Sequence, residues 1–188
     1  MTNFEFAFSL FGVLLGLSLA ELAGGFAKAL KRRGRHKLGL LTPLLAVFLA
    51  YDIATFWVTA WRARDVLPIH IAALVGGLAI TGLYYFASAL VWPDDGDPDW
   101  DDLDAWMLAH KRQVMLSVAA CNVVAVGCVA LLAPGSFHYD PVQLVLLGGY
   151  FTSLLVVAFA PGRRVVLPAL CALVALYALD LVVNVTGG

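Results

Sequence analysis

Three carboxylates fall deep inside long apolar runs of this sequence: Glu21, Asp52 and Asp180. Ionisable side chains at membrane depth are rare, and they usually face a bundle interior or a water-filled path. No Lys or Arg lies deep enough in those runs to pair with Asp52 or Asp180. Buried acids without a counter-charge suit a proton relay or a cation path.

Helical spacing supplies their neighbours. Thr55 and Thr59 share a face with Asp52 at i+3 and i+7, and Tyr177 and Asn184 share one with Asp180 at i−3 and i+4. Asn122 adds a polar group to a further apolar run. Measured from the ends that carry the basic loops, Glu21 and Asn122 stand at ~10 Å, Asp52 at ~18 Å and Asp180 at ~22 Å. Converging faces would make a polar staircase, so the expected transport path is Asp52, Asp180, Glu21, Asn122, Thr55, Tyr177 and Asn184. The competing reading makes the same groups interhelical glue, a protonated Asp donating to a carbonyl or a Thr on a neighbouring helix.

The segment WPDDGDPDWDDLDAWMLAHKR, from Trp92, holds seven of the 13 acidic residues, Asp94 to Asp104. Paired aspartates can hold Mg²⁺ against a phosphate, which makes Asp97, Asp101 and Asp104 the weak candidates for a metal site. Their spacing fits neither a calcium-binding helix–loop–helix nor the Asp-Gly-x-x-Ala-Arg pattern of membrane alcohol phosphotransferases. The favoured expectation is a solvated acidic helix start, with Asp97 or Asp99 as a cap and Asp101, Asp102 and Asp104 near its positive end. Trp100, Leu103, Trp106 and Met107 then fall at helical spacing, on an interfacial helix or an extension of the fourth apolar run. His36, His70, His110 and His138 sit at run boundaries or in loops and make no i, i+4 ligand pair. Cys121, Cys128 and Cys171 read as small buried residues. No cofactor motif is present, and no nucleic-acid partner is expected.

The elements that must position these groups follow from composition. Of 188 residues, 62% are hydrophobic and 13% charged, against about half and a quarter in a soluble domain. A chain of this size cannot hide so much apolar surface from water, so its apolar faces are expected to meet lipid. The apolar runs cover 4–26, 38–61, 67–92, 114–132, 142–159 and 165–185, each near the ~20 residues a helix needs to cross the hydrocarbon. The expectation is an all-α polytopic membrane protein, a single domain of six transmembrane helices, with 93–112 as a cytoplasmic acidic loop. Six of the 12 Lys and Arg lie between Lys28 and Lys37. By the positive-inside rule this loop is cytoplasmic and both termini lie outside. The first run has no positive n-region and reads as a retained helix rather than a cleaved signal. Most prolines lie in or next to first turns or just beyond helix ends, Pro168 among the former. In the first run, Gly12, Gly16, Ala20 and Gly24 make a small-xxx-small ridge on which another helix can pack closely.

Tyr84-Tyr85, Trp92-Pro93-Asp94 and Asp104…His110-Lys111-Arg112 resemble stretches of bacterial inner-membrane proteins of no assigned activity. That resemblance implies a multi-pass inner-membrane location. Three functions are compatible with the residues: a proton or cation channel or transporter, a non-catalytic membrane scaffold or regulatory subunit, and a lipid-modifying enzyme using the aspartate-rich loop. The partners the sequence allows are the lipid bilayer, a second copy of the chain, and a cytoplasmic protein at the acidic loop.

Overall fold

The computed structural model describes residues 3–32, 39–64, 71–132 and 141–186. Among them every regular element is a helix and none is a strand. The helices are α1 (Asn3–Arg32), α2 (Leu41–Arg62), α3 (Ile71–Ala89), α4 (Leu103–Leu132), α5 (Pro141–Phe159) and α6 (Arg163–Thr186), with a 3₁₀ turn at Pro98–Asp101 before α4. Two stretches, Phe8–Arg32 of α1 and Leu41–Arg62 of α2, are long and apolar enough to cross a membrane. Shorter apolar stretches occupy Ala73–Ala89 and Leu144–Phe159.

α2 sits at the centre of the packing, against α1, α4 and α6 and more lightly against α3. Around it, α3 packs on α4, α4 on α5 and α5 on α6, and α1 is the peripheral helix, lying against α3 and α2. The core is built on the α2 face carrying Leu41, Leu45, Phe48, Leu49 and Asp52. Those positions recur at three- and four-residue steps, the period that keeps side chains on one face of a helix.

Polarity is arranged inside out. Asp52, Thr42, Thr81, Ser18, Ser88 and Ser117 are buried. Large apolar side chains point outward from every helix, among them Val13, Val58, Ile71, Val123, Val145 and Val165.

Two helices outrun their apolar segments. α1 continues to Arg32 and α4 begins at Leu103, because Ala, Leu, Lys and Arg propagate a helix after hydrophobicity has ended. α6 begins at Arg163, so Pro168 lies inside the helix rather than in or beside its first turn. There it removes one backbone donor.

The Gly12–Gly24 ridge is not the edge by which α1 packs within the chain. Gly12 does pack: a Cβ there would stand 2.5 Å from the Trp57 ring. Gly16, Ala20 and Gly24 are exposed, and a Cβ on Gly16 or Gly24 would meet nothing within 4 Å. The buried edge is Leu15, Ser18, Leu22, Gly25 and Ala29. A strict four-residue step drifts around the helix by about 40° each time, so the ridge turns away from its neighbours. The packed glycines of α1 both meet indole rings: Trp92 lies where a Gly25 side chain would be, as Trp57 does for Gly12.

Candidate functional site

Asp52 is 1% exposed, and four side chains from four other helices donate hydrogen bonds to it. The Tyr84 hydroxyl of α3 donates to Oδ2 at 2.8 Å. The Tyr150 hydroxyl of α5 donates to Oδ1 at 2.8 Å, and the Tyr177 hydroxyl of α6 also donates to Oδ1. Asn122 of α4 donates from Nδ2 to both carboxylate oxygens, at 3.2 and 3.1 Å. Its amide nitrogen also donates to the Val118 carbonyl at 3.1 Å. One carboxylate on α2 therefore joins five helices.

The stoichiometry carries chemical meaning. An ionised carboxylate offers about four lone-pair positions and no proton. Three phenols and an amide fill them, so the shell is complementary to the anion. Among the described residues, no ion pair involves Asp52. Aromatic rings line the site: Phe56 lies 5.3 Å from the Tyr84 ring, and Phe48 lies 6.4 Å from Tyr150 and 5.9 Å from Tyr177. Tyr51 stacks on Tyr177 at 6.3 Å.

Of the residues the sequence singled out, Asp52, Asn122 and Tyr177 come together. Thr55 lies beside them: its hydroxyl donates to the Asp52 main-chain carbonyl at 2.9 Å. Glu21 is exposed on α1 and takes no part in the cluster's hydrogen bonds. Asp180 and Asn184 are on α6, but their side chains lie outside the described residues. Tyr84 and Tyr150 were missed as ligands of Asp52. Their signal was available: a phenol deep in an apolar run must find a partner for its hydroxyl.

A second polar group stands where α2 begins and α5 ends. Asp104, buried at the start of α4, accepts from the Leu41 main-chain N–H at 2.9 Å and pairs with Arg163 at 3.3 Å. It thus caps α2 from outside that helix. Gly39 makes room for it: with φ +60, a Cβ there would lie 2.0 Å from the Asp104 carboxylate. Thr42 donates to the Leu103 carbonyl at 2.5 Å beside it. Two turns along α4, Lys111 donates to the carbonyls of Val157, Ala158 and Ala160 at 2.9, 3.3 and 2.7 Å. Its charge meets the negative end of α5, while burial pulls its ammonium below the usual lysine range. α4 so places an acid on the start of one neighbour and a base on the end of another.

The other acids are used locally. Asp97 accepts from the Asp99 N–H at 3.0 Å, capping the 3₁₀ turn. Asp102 accepts from the Ala105 N–H at 3.1 Å, capping α4. Asp95 pairs with Lys28 at 2.8 Å and Arg32 at 3.8 Å, fastening this segment to the end of α1. The hydrogen bond and charge of Lys28, with Arg32 behind it, hold the Asp95 carboxyl below its ordinary range. Arg32 also lies 4.4 Å over the Trp100 ring, which stacks on Trp92 at 6.3 Å. Among the described residues, no group of three His, Cys, Asp or Glu side chains is placed to hold a metal.

No family model, curated protein or solved structure matches this chain.

Proposed function

We propose that this chain is a six-span protein of a cell membrane, in the bacterial setting the inner membrane, that binds a proton at Asp52 and passes it across the bilayer. The observation that carries the reading is the Asp52 carboxylate itself. It is buried at the middle of the bundle, ringed by four donors and without a cationic partner among the described residues. A proton is the smallest ion that can answer that charge, and it requires only one donor of the shell to turn away. A metal cation would need several oxygen lone pairs turned toward it, whereas here the phenols and the amide turn hydrogens toward the carboxylate.

The inside-out distribution of polarity supports the six spans. Polar side chains gather at the centre, and all six helices turn large apolar side chains outward. The basic end of α1 and the Arg163 end of α6 support, by the positive-inside rule, a cytoplasmic acidic segment with both termini outside.

Reconstituted into proteoliposomes, the wild-type chain collapses an imposed pH gradient faster than empty vesicles, and Asp52→Asn removes the excess rate. Equal rates for wild type and Asp52→Asn would reject the reading. A second reading, a non-catalytic membrane scaffold, is favoured by the completeness of the same shell, because a fully satisfied carboxylate also locks helices together. It predicts that Asp52→Asn loosens the bundle while wild type carries no proton flux. Lipid-modifying chemistry at the acidic loop has less support, since Asp97 and Asp104 are occupied in capping.

A further inference from the structure

A proton held at Asp52 needs a route to the carboxylate, and burial divides the bundle at that level. Toward the basic ends of α1 and α6 the helices close. Leu45 and Leu49 of α2, Met115 of α4, Leu154 of α5, and Leu170 and Leu173 of α6 are each at most 1% exposed. From Asp52 to Leu45 this layer is about 10 Å thick. No charged residue of α2, α4, α5 or α6 falls within it, and an apolar interior of this kind stays dry.

On the other side of Asp52 the packing opens. Residues 144–149 of α5 are all exposed, and six consecutive residues take in every direction around a helix. None of residues 54–62 of α2 or of the described side chains among 123–128 of α4 is buried, and Ala178 and Leu179 of α6 are exposed. A Cβ on Gly127, Gly148 or Gly149 would meet nothing within 4 Å. α1 and α3 stay packed at this depth: Leu15 and Thr81 are buried, and the Phe11 ring fills the place of a Gly77 side chain. The opening therefore lies among α2, α4, α5 and α6.

The shell of Asp52 has the same asymmetry. Tyr84, on the α3 side, is fully buried. Asn122, Tyr150 and Tyr177, on the three helices that open, are only partly so. Two turns further out on the Asp52 face of α2, Thr59 is exposed.

We infer that Asp52 exchanges its proton through a water-filled cleft between the outer turns of α2, α4, α5 and α6, while the apolar layer beneath it shuts off the cytoplasm. Water suits this cleft better than an acyl chain, because an ionised carboxylate and its half-buried donors edge it, and charge beside hydrocarbon is costly. A hydronium ion at the floor gives its proton to the carboxylate and leaves as water. Release to the cytoplasm then requires the apolar layer to part, so the chain works as a carrier with alternating access rather than as a standing pore. The inference rests on Asp52 as the proton site and on the proposed orientation, and adds the side from which the proton comes.

The test uses single cysteines in the chain lacking Cys121, Cys128 and Cys171, reconstituted in lipid vesicles and treated with a positively charged, impermeant methanethiosulfonate. Gly96→Cys, in the acidic segment, marks the cytoplasmic side. Thr59→Cys and Leu147→Cys, the latter one turn out from Tyr150 on its face, should react from the opposite side. Each should react about tenfold faster than Val145→Cys, which is turned away from Tyr150, because only a hydrated thiol ionises readily. Leu45→Cys and Leu170→Cys should react from neither side. A Leu147→Cys as slow as Val145→Cys means that lipid or a second copy fills the cleft, and overturns the inference. Reaction of Leu45→Cys from the cytoplasmic side overturns it too. The wild type supplies a measurement independent of variant folding. In oriented vesicles, the infrared C=O band that Asp52→Asn lacks should follow a pH step on the outer side about tenfold faster than one on the inner side, because only the inner route waits for the layer to part. Equal rates overturn the inference and spare the proton site, whereas a band absent at every pH overturns both.

Discussion

Removing the acceptor from the Asp52 cluster and removing one donor differ sharply in cost. Asp52→Ala leaves three phenols and an amide without their common partner, and should destabilise the bundle by about 3 kcal/mol or more. Tyr84→Phe removes one donor from a carboxylate that keeps three. It should cost about 1 kcal/mol, between the small average of membrane hydrogen bonds and the larger value for bonds to a charge. Unfolding in mixed detergent micelles reads both, and equal losses would contradict a shared acceptor. Asp52, Asn122 and Tyr177 could be singled out from sequence because polar residues stand out in an apolar run. Tyr84 and Tyr150 could not be assigned to Asp52, because spacing within one helix does not say which other helix it faces.

At the scale of elements, α4 holds its neighbours by their ends. Gly39→Ala puts a Cβ into the Asp104 carboxylate at a positive φ, so it should cost about 1–3 kcal/mol of stability. Lys111→Met removes the three hydrogen bonds that Lys111 donates at the end of α5 and should cost about 2 kcal/mol. Hydrogen exchange localises each loss, to the first turn of α2 and the last turn of α5. The Asp95 clasp gives a pH signature. Its folded-state carboxyl titrates below the unfolded value of 3.8, so its contribution is complete above that value and fades as the pH falls through the lower folded-state value. Acidification should release the segment from α1, read as a change in Trp92 and Trp100 fluorescence. High salt should weaken the same contact, and Asp95→Asn should remove the response to both. These capping contacts lay beyond the sequence, since Asp104 and Leu41 are 63 residues apart. The helices themselves were legible from their apolar runs. The early start of α4 was one of two readings of the Trp100–Met107 spacing; the extension of α1 to Arg32 was not legible, because helix propensity outlasts hydrophobicity there.

For the molecule as a whole, a polar centre inside an apolar exterior is the arrangement a bilayer favours. The orientation is testable with one residue. Gly96→Cys, in a background lacking Cys121, Cys128 and Cys171, should react with an impermeant thiol reagent only from the cytoplasmic side. The central claim is that Asp52 exchanges a proton inside this bundle, and infrared spectroscopy of the chain in lipid vesicles tests it most directly. On acidification the wild type should gain a carboxylic C=O band that shifts in deuterated water and is absent from Asp52→Asn. Identical pH-difference spectra for the two proteins would contradict the account.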